Sequence, residues 1–415
     1  MRPVAALRRL AHLVWGDEVD AALRPVLAVS LAASLAGSTM WSFMAIWAVD
    51  ELEAKGQLPF IFGVGALLAG ASGFLGGHLS DRFGRRKIIL LGEGLMVGYP
   101  LLLLAVAGDK WTAIAALTCA GALGALGGSV AQAMVADLVP PEKHEPAYAS
   151  VRVAANFGVI MGPPLGGALL IAGGWSSLFV TVAVLSAGAW LLAYRLLPRR
   201  GLYAPEGPPQ RSSLGVIRRD LPFLLFLGSA AFAWLVYVAY EVVLPVSLVD
   251  GFGYQAAAWG FLVWINPFLV TVLQLRLTRA TVRVPAPTKL VVAMLTMGLP
   301  FLLLTRTHAL LPVVVVVTVF VIGEMLWVPT SQAVIADLAP ADVRGAYMGA
   351  FGSTAAVGFA IAPLVGFQVR NSFGDDATWV MFAGISVVAA VLGGSAGAGL
   401  VRRARSQPPT AVASA

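Results

Sequence analysis

Gly77-His78-Leu79-Ser80-Asp81-Arg82-Phe83-Gly84-Arg85-Arg86-Lys87 sets one acid and four bases around a tight glycine turn. On either side lies an apolar block of about the length that crosses a bilayer, at 58–80 and 88–107. A short charged loop between two such blocks reads as a connection at a membrane face. It admits two physical readings. As a topogenic loop, its bases would only fix the side of the membrane on which it lies. As a gate latch, Asp81 would meet the positive end of a helix N-terminus, and the arginines would hold the opposite half of the protein.

The rest of the chain repeats this alternation. Of 415 residues, 59% are hydrophobic and 12% charged, with mean hydropathy +0.84. A soluble domain carries about 25% charged residues, so this chain has too few to coat a soluble globule of its size. Apolar blocks such as 221–249, 310–321 and 379–401 should be helical, because lipid offers no water to an unpaired backbone. Alternation at period two, the mark of a membrane barrel, is absent. The expected fold class is an all-α polytopic membrane protein. Twelve spans are read, near 22–49, 58–80, 88–107, 112–136, 147–172, 177–196, 221–249, 255–277, 288–305, 310–334, 347–369 and 378–401.

The connections alternate in charge. One set, with the two termini, holds 22 Lys and Arg and the other holds 4, setting aside Arg24 and Arg152 at or within spans. The positive-inside rule puts the richer set and both termini in the cytoplasm, and the expected location is a bacterial cytoplasmic membrane. The net charge of +7 then reflects topology, and no nucleic-acid partner is expected. Residues 1–21 carry Val4, Leu7, Leu10 and Val14 at helical spacing around Arg8 and Arg9, which predicts an amphipathic helix on the bilayer surface. They show no cleavable signal. Trp15 and Trp379 read as interface anchors.

The longest connection, 197–220, is rich in Pro, Gly and Arg. It reads as a cytoplasmic linker between bundles at 22–196 and 221–401, with a tail at 402–415. An internal repeat supports the division. Gln132-Ala133-Met134-Val135-Ala136-Asp137-Leu138-Val139-Pro140 returns 200 residues later as Gln332-Ala333-Val334-Ile335-Ala336-Asp337-Leu338-Ala339-Pro340. Gly158, Pro163 and Gly166 return as Gly358, Pro363 and Gly366. A repeat displaced by six spans keeps its orientation. That is the pattern of a two-fold axis along the membrane normal, with the solute site between the halves.

The loop spacing, Gly77-x-x-x-Asp81-Arg82-x-Gly84-Arg85-Arg86-Lys87, resembles the loop signature of the major facilitator superfamily. Gly158-x-x-x-Gly162-Pro163-x-x-Gly166-Gly167 in span 5 resembles the antiporter signature of its drug:proton antiporter branch. On its own terms, small residues at i and i+4 let helices approach closely, and Pro163 removes a backbone hydrogen bond. Ordinary close packing is the competing reading. Ala336-Asp337-Leu338-Ala339-Pro340, followed by Arg344-Gly345-Ala346-Tyr347-Met348-Gly349, is similar to the same branch, particularly the MdtH-like multidrug exporters. The resemblance implies a major facilitator fold of two pseudo-symmetric six-helix bundles. Two departures stand out. The loop 276–289 lacks the Asp and the glycines, and span 4 carries no Arg or Lys where the superfamily often has a base.

Charged side chains inside a span cost on the order of 2.5–3.5 kcal/mol and tend to be functional. Four are found: Glu93, Arg152, Glu241 and Glu324. Glu324 shares a face with Phe320, Trp327 and Ser331, about ten residues from the predicted end of span 10. It is expected to exchange a proton against solute, the alternative being a structural acid hydrogen-bonded in the bundle. Glu241, with Trp234 and Tyr237 on its face, is a second proton-coupling candidate, placed nearer the periplasm. Glu93 is expected to pair with loop bases such as Arg85, and Arg152 with Asp137 or Glu142. Trp41, Ser38, Gln132, Asn156, Trp234, Tyr237, Phe320 and Trp327 are candidates for the solute cavity, with Gln132 and Gln332 as a polar pair.

The single cysteine, Cys119, cannot close an internal disulfide, and no Cys/His cluster suggests a metal. No P-loop or catalytic constellation is present, so neither an enzyme nor a cofactor is expected. The expected function is export of small amphipathic molecules by proton antiport with alternating access, by a monomer whose partners are solute, protons and the lipid bilayer. A same-fold importer or facilitator is the alternative. A receptor or lipid-modifying enzyme would need a soluble domain or a catalytic cluster.

Overall fold

The computed structural model describes residues 20–204, 212–254, 259 and 262–406. The amphipathic segment read near the N-terminus, Trp15 within it, lies outside them apart from its last two residues. Among the described residues, nine helical segments are long and apolar enough to cross a membrane. Two of these, Pro141–Leu196 and Ala341–Gly397, run 56 and 57 residues, more than twice what one crossing needs. Each breaks at a glycine with positive φ, Gly174 at 63° and Gly374 at 87°, a backbone that residues bearing a Cβ rarely adopt. Each of these two runs is long enough for two crossings, and Ile265–Ala280, too short to count among the nine, stands in the place of span 8. The two breaks lie 200 residues apart, the offset of the sequence repeat.

Helix ends follow local chemistry. Leu58–Phe83 stops at Gly84, whose φ of 93° turns the chain directly into Arg85–Val106. Asp109 caps Lys110–Leu138 by accepting from the Thr112 N–H at 3.1 Å. The Thr112 hydroxyl and then its N–H hold the Asp109 carboxyl below the usual carboxylate range. A depressed carboxyl stabilises the fold at neutral pH and loses that contribution as pH falls through its folded value. Span 1 is kinked between Arg24–Trp41 and Met44–Asp50. Span 7 passes from Leu221–Val238 into a wide π turn at Ala239–Val243.

Glycines set how the spans approach. A Cβ on Gly158 would meet the Leu31 carbonyl oxygen at 2.7 Å, and one on Gly162 the Thr39 nitrogen at 2.7 Å. Span 5 therefore lies backbone to backbone on span 1. Gly358 does the same on span 7, where a Cβ would stand 2.6 Å from that of Trp234. Pro163 sits inside the helical run of span 5. Ser38 donates to the Gly158 carbonyl at 3.1 Å, so it ties span 1 to span 5. Gly162→Val should be among the most damaging single changes outside the polar sites. Overpacking costs about 1–3 kcal/mol or more where neither backbone can yield, and detergent melting of the purified variant would show the loss.

Spans 1–6 and 7–12 meet most closely where span 2 crosses span 11. A Cβ on Gly70 would fall 2.8 Å from that of Ala356, and one on Gly349 2.7 Å from the Gly73 carbonyl. Ser353 donates to the Gly70 carbonyl at 2.6 Å. These contacts lie in the half of the bundle nearer the arginine-rich loops, called here the basic end. Trp379 corrects its reading as an interface anchor. It is fully buried, 5.3 Å from the Phe301 ring, because the face of span 12 that bears it packs into the core.

Candidate gating and solute sites

The quoted loop closes the basic end. The Asp81 carboxylate accepts from the backbone N–H groups of Gly345 and Ala346 at 2.8 and 2.9 Å. These are unpaired donors at the first turn of the helix starting at Arg344, where the helix dipole also favours an anion. Gly77 makes the approach possible, since any Cβ there would overlap the Gly345 carbonyl. Arg85 binds Asp81, the Ser80 hydroxyl at 2.7 Å and Asp137 at 3.0 Å. Arg86 reaches the Tyr194 carbonyl and lies over its ring, while Arg82 is exposed. The arginines therefore hold their own half, correcting the expectation that they grip the opposite one. The acids make the crossing.

Asp137 carries a second crossing, because its other oxygen accepts from Arg344 at 2.6 Å. The repeat returns this contact in reverse: His144 Nδ1 lies 2.6 Å from Asp337. Positions 144 and 344, and 137 and 337, thus exchange partners across the pseudo-two-fold axis. Lys289 binds Glu145, which also accepts from the Thr330 hydroxyl at 3.3 Å.

Deeper, Glu324 lies fourteen residues from either end of Leu310–Leu338, farther from the basic end than the ten residues expected. It is buried at 4% exposure. One oxygen accepts from Arg152 of span 5 at 2.5 Å, and the other from Asn266 of span 8. Arg152 also reaches the Glu324 carbonyl at 3.4 Å. The expected partners of Arg152, Asp137 and Glu142, lie elsewhere: Asp137 is saturated by Arg85 and Arg344. Sequence reading missed Asn266, a polar residue in an apolar span that was a visible signal. Among the described residues, no hydrogen bond or ion pair joins spans 1–6 to spans 7–12 on the far side of this pair. Glu241 accepts from the Tyr237 hydroxyl at 3.0 Å, on the π turn of span 7.

A cavity of about 440 Å³ lies between the halves and is lined by Gln132, Gln332 and Trp234. Gln132 Oε1 and the Trp234 indole N–H are buried without a partner. No hydrogen bond joins the two glutamines. Trp234 stacks edge-on against Trp327 at 5.3 Å. The other six cavity candidates lie off this lining, Trp327 behind Trp234 and Tyr237 bonded to Glu241. Phe320 is fully buried against Tyr240 at 4.3 Å, because its face packs inside spans 7–12. Asn156 donates to the Arg152 carbonyl one turn back. Ser38 bonds span 5, and Trp41 is 37% exposed outside this cavity. Glu93 makes no pair with Arg85, whose Nε and Nη1 turn instead to Asp137, Ser80 and Asp81.

A family model described as Major Facilitator Superfamily matches residues 26–363. A Na(+), Li(+), K(+)/H(+) antiporter of Planococcus maritimus is 26% identical over 383 residues, covering 84% of this chain and 89% of that protein. Multidrug resistance protein MdtH of Klebsiella pneumoniae subsp. pneumoniae is 26% identical over 365 residues, covering 84% and 87%. The solved structure of a bacterial homologue of the iron transporter ferroportin in outward-facing state superposes with a TM-score of 0.75 at 17% identity, covering 92% and 100%.

Proposed function

The chain belongs to the major facilitator superfamily of membrane transporters, and from that premise we propose that it exports small amphipathic molecules across a bacterial cytoplasmic membrane by proton antiport. The observation that carries this reading is the buried Arg152–Glu324 pair joining spans 5 and 10. Ion pairs out of water are costly, and charged residues inside membrane spans tend to mark ion, proton or solute paths. A proton on Glu324 cancels its charge and frees Arg152. Loss of the proton restores the pair and draws the halves together. The bundles 22–196 and 221–401 then rock about this level, and solute occupies the space beside Trp234 and Gln132.

In this reading the basic end faces the cytoplasm, with both termini, and Asp81, Asp137 and Glu145 hold it shut. The working unit is a monomer. The similarity to an alkali-cation/proton antiporter supports antiport over facilitated diffusion, and the similarity to a multidrug resistance protein supports a drug-like solute.

Proteoliposomes carrying an internal pH dye test this. Under an imposed proton gradient, adding a lipophilic cation or neutral antibiotic is expected to speed proton movement several-fold over empty liposomes. Solute movement with no accompanying proton flux would instead make the protein a facilitator.

A further inference from the structure

A second cavity, of about 330 Å³, lies within spans 1–6, walled by spans 1, 3, 4 and 5. Its polar lining is Glu93, Gln132, Ser30 and Ser34. Among the described residues none of these side chains makes a hydrogen bond or ion pair with the protein, and Gln132 Oε1 is buried without a partner. No basic residue lines the space. A charged carboxylate inside a membrane bundle is too costly to leave unpaired, so this one holds either a proton or a cation, and here the fold itself offers it only uncharged oxygen groups.

We propose that this chamber binds a monovalent cation, with Glu93 as its counter-charge and Gln132 Oε1 and the two serine hydroxyls as neutral oxygen ligands. One carboxylate balances one positive charge, and a divalent ion would be left half-compensated. Oxygen donors suit a hard cation or an ammonium group. The volume is about ten times the roughly 30 Å³ that one water occupies in the liquid. An alkali ion therefore keeps part of its water here, and a small organic ammonium fits bare. The chamber also has a doorway. Gly128 and Gln132 line both this cavity and the one between the halves, and a Cβ on Gly128 would meet no atom within 4 Å. The cation thus reaches the solute path past a residue with no side chain. This inference names a site apart from the Arg152–Glu324 pair and does not depend on which carboxyl carries the proton.

The test is thermal unfolding of the purified full-length protein against sodium, lithium, potassium and methylammonium chlorides, with ionic strength held by N-methylglucamine chloride. A ligand that binds only the folded state raises the midpoint with concentration. A saturable rise is expected for wild type and is lost in Glu93→Gln. Ser30→Ala/Ser34→Ala, which removes two neutral ligands and leaves the carboxylate in place, shrinks the rise and serves if Glu93→Gln does not fold. A response to the alkali salts alone identifies a metal ion, and a response to methylammonium alone an organic amine. Either supports the site. Wild type unmoved by all four salts overturns it. So does a rise that persists in Glu93→Gln but disappears in Glu324→Gln, which would put the ion at the central pair.

Discussion

Glu324→Gln is expected to abolish solute-driven proton movement in proteoliposomes, by tenfold or more, while the protein still inserts. Glutamine keeps the shape of the side chain and an oxygen for Arg152 or Asn266, but it cannot lose a proton. It also leaves Arg152 charged and unpaired near mid-bundle. Removing one partner of a buried pair costs about 3–5 kcal/mol in stability, so melting should fall as well. Lost activity alone would therefore not separate coupling from scaffolding. The double variant Arg152→Gln/Glu324→Gln does. It removes the orphaned charge, so stability should return toward wild type while proton movement stays absent. Recovery of proton movement in the double variant, or its persistence in Glu324→Gln, would make Glu324 a structural acid and turn attention to Glu241.

Gly77→Val should hold the basic end open and reduce transport by at least tenfold. The carbonyl of Gly345 occupies the space where any Cβ on residue 77 would stand. Both are backbone, and neither can move without drawing Asp81 from the helix it caps. Accessibility reports the effect directly. With Cys119→Ser as background and Gln332→Cys as the probe, an impermeant maleimide added at the cytoplasmic face should react slowly in the closed parent and much faster with Gly77→Val present. Equal rates and normal transport in both would mean that this crossing is not the gate.

The architecture was legible because lipid enforces it. Apolar blocks of bilayer length must be helices, and basic loops mark one end, so span order and the repeat could be read without coordinates. The quoted loop was legible in part. Asp81 does meet a helix N-terminus, but nothing local says that Arg85 turns back to Asp137 in its own half. The central pair was not legible. Arg152 and Glu324 are separated by 172 positions, and their meeting depends on how spans 5 and 10 face one another. Hydrophobic periodicity is a weak guide to facing in a membrane, because lipid and core are both apolar. Two aromatic readings failed for the same reason: Phe320 and Trp379 could as well have faced lipid or solute as the core they occupy.

The reversed contacts at 144–337 and 344–137 have the form that a symmetric dimer makes, in which residue i meets j and j meets i. In a duplicated gene each such contact is inherited twice, so one substitution in the ancestral half would have created both bridges together. Once the copies were joined in one chain, the two were released to change separately. One now carries arginine and the other histidine. Redundancy of this kind lets either bridge drift while the other still brings the halves into register.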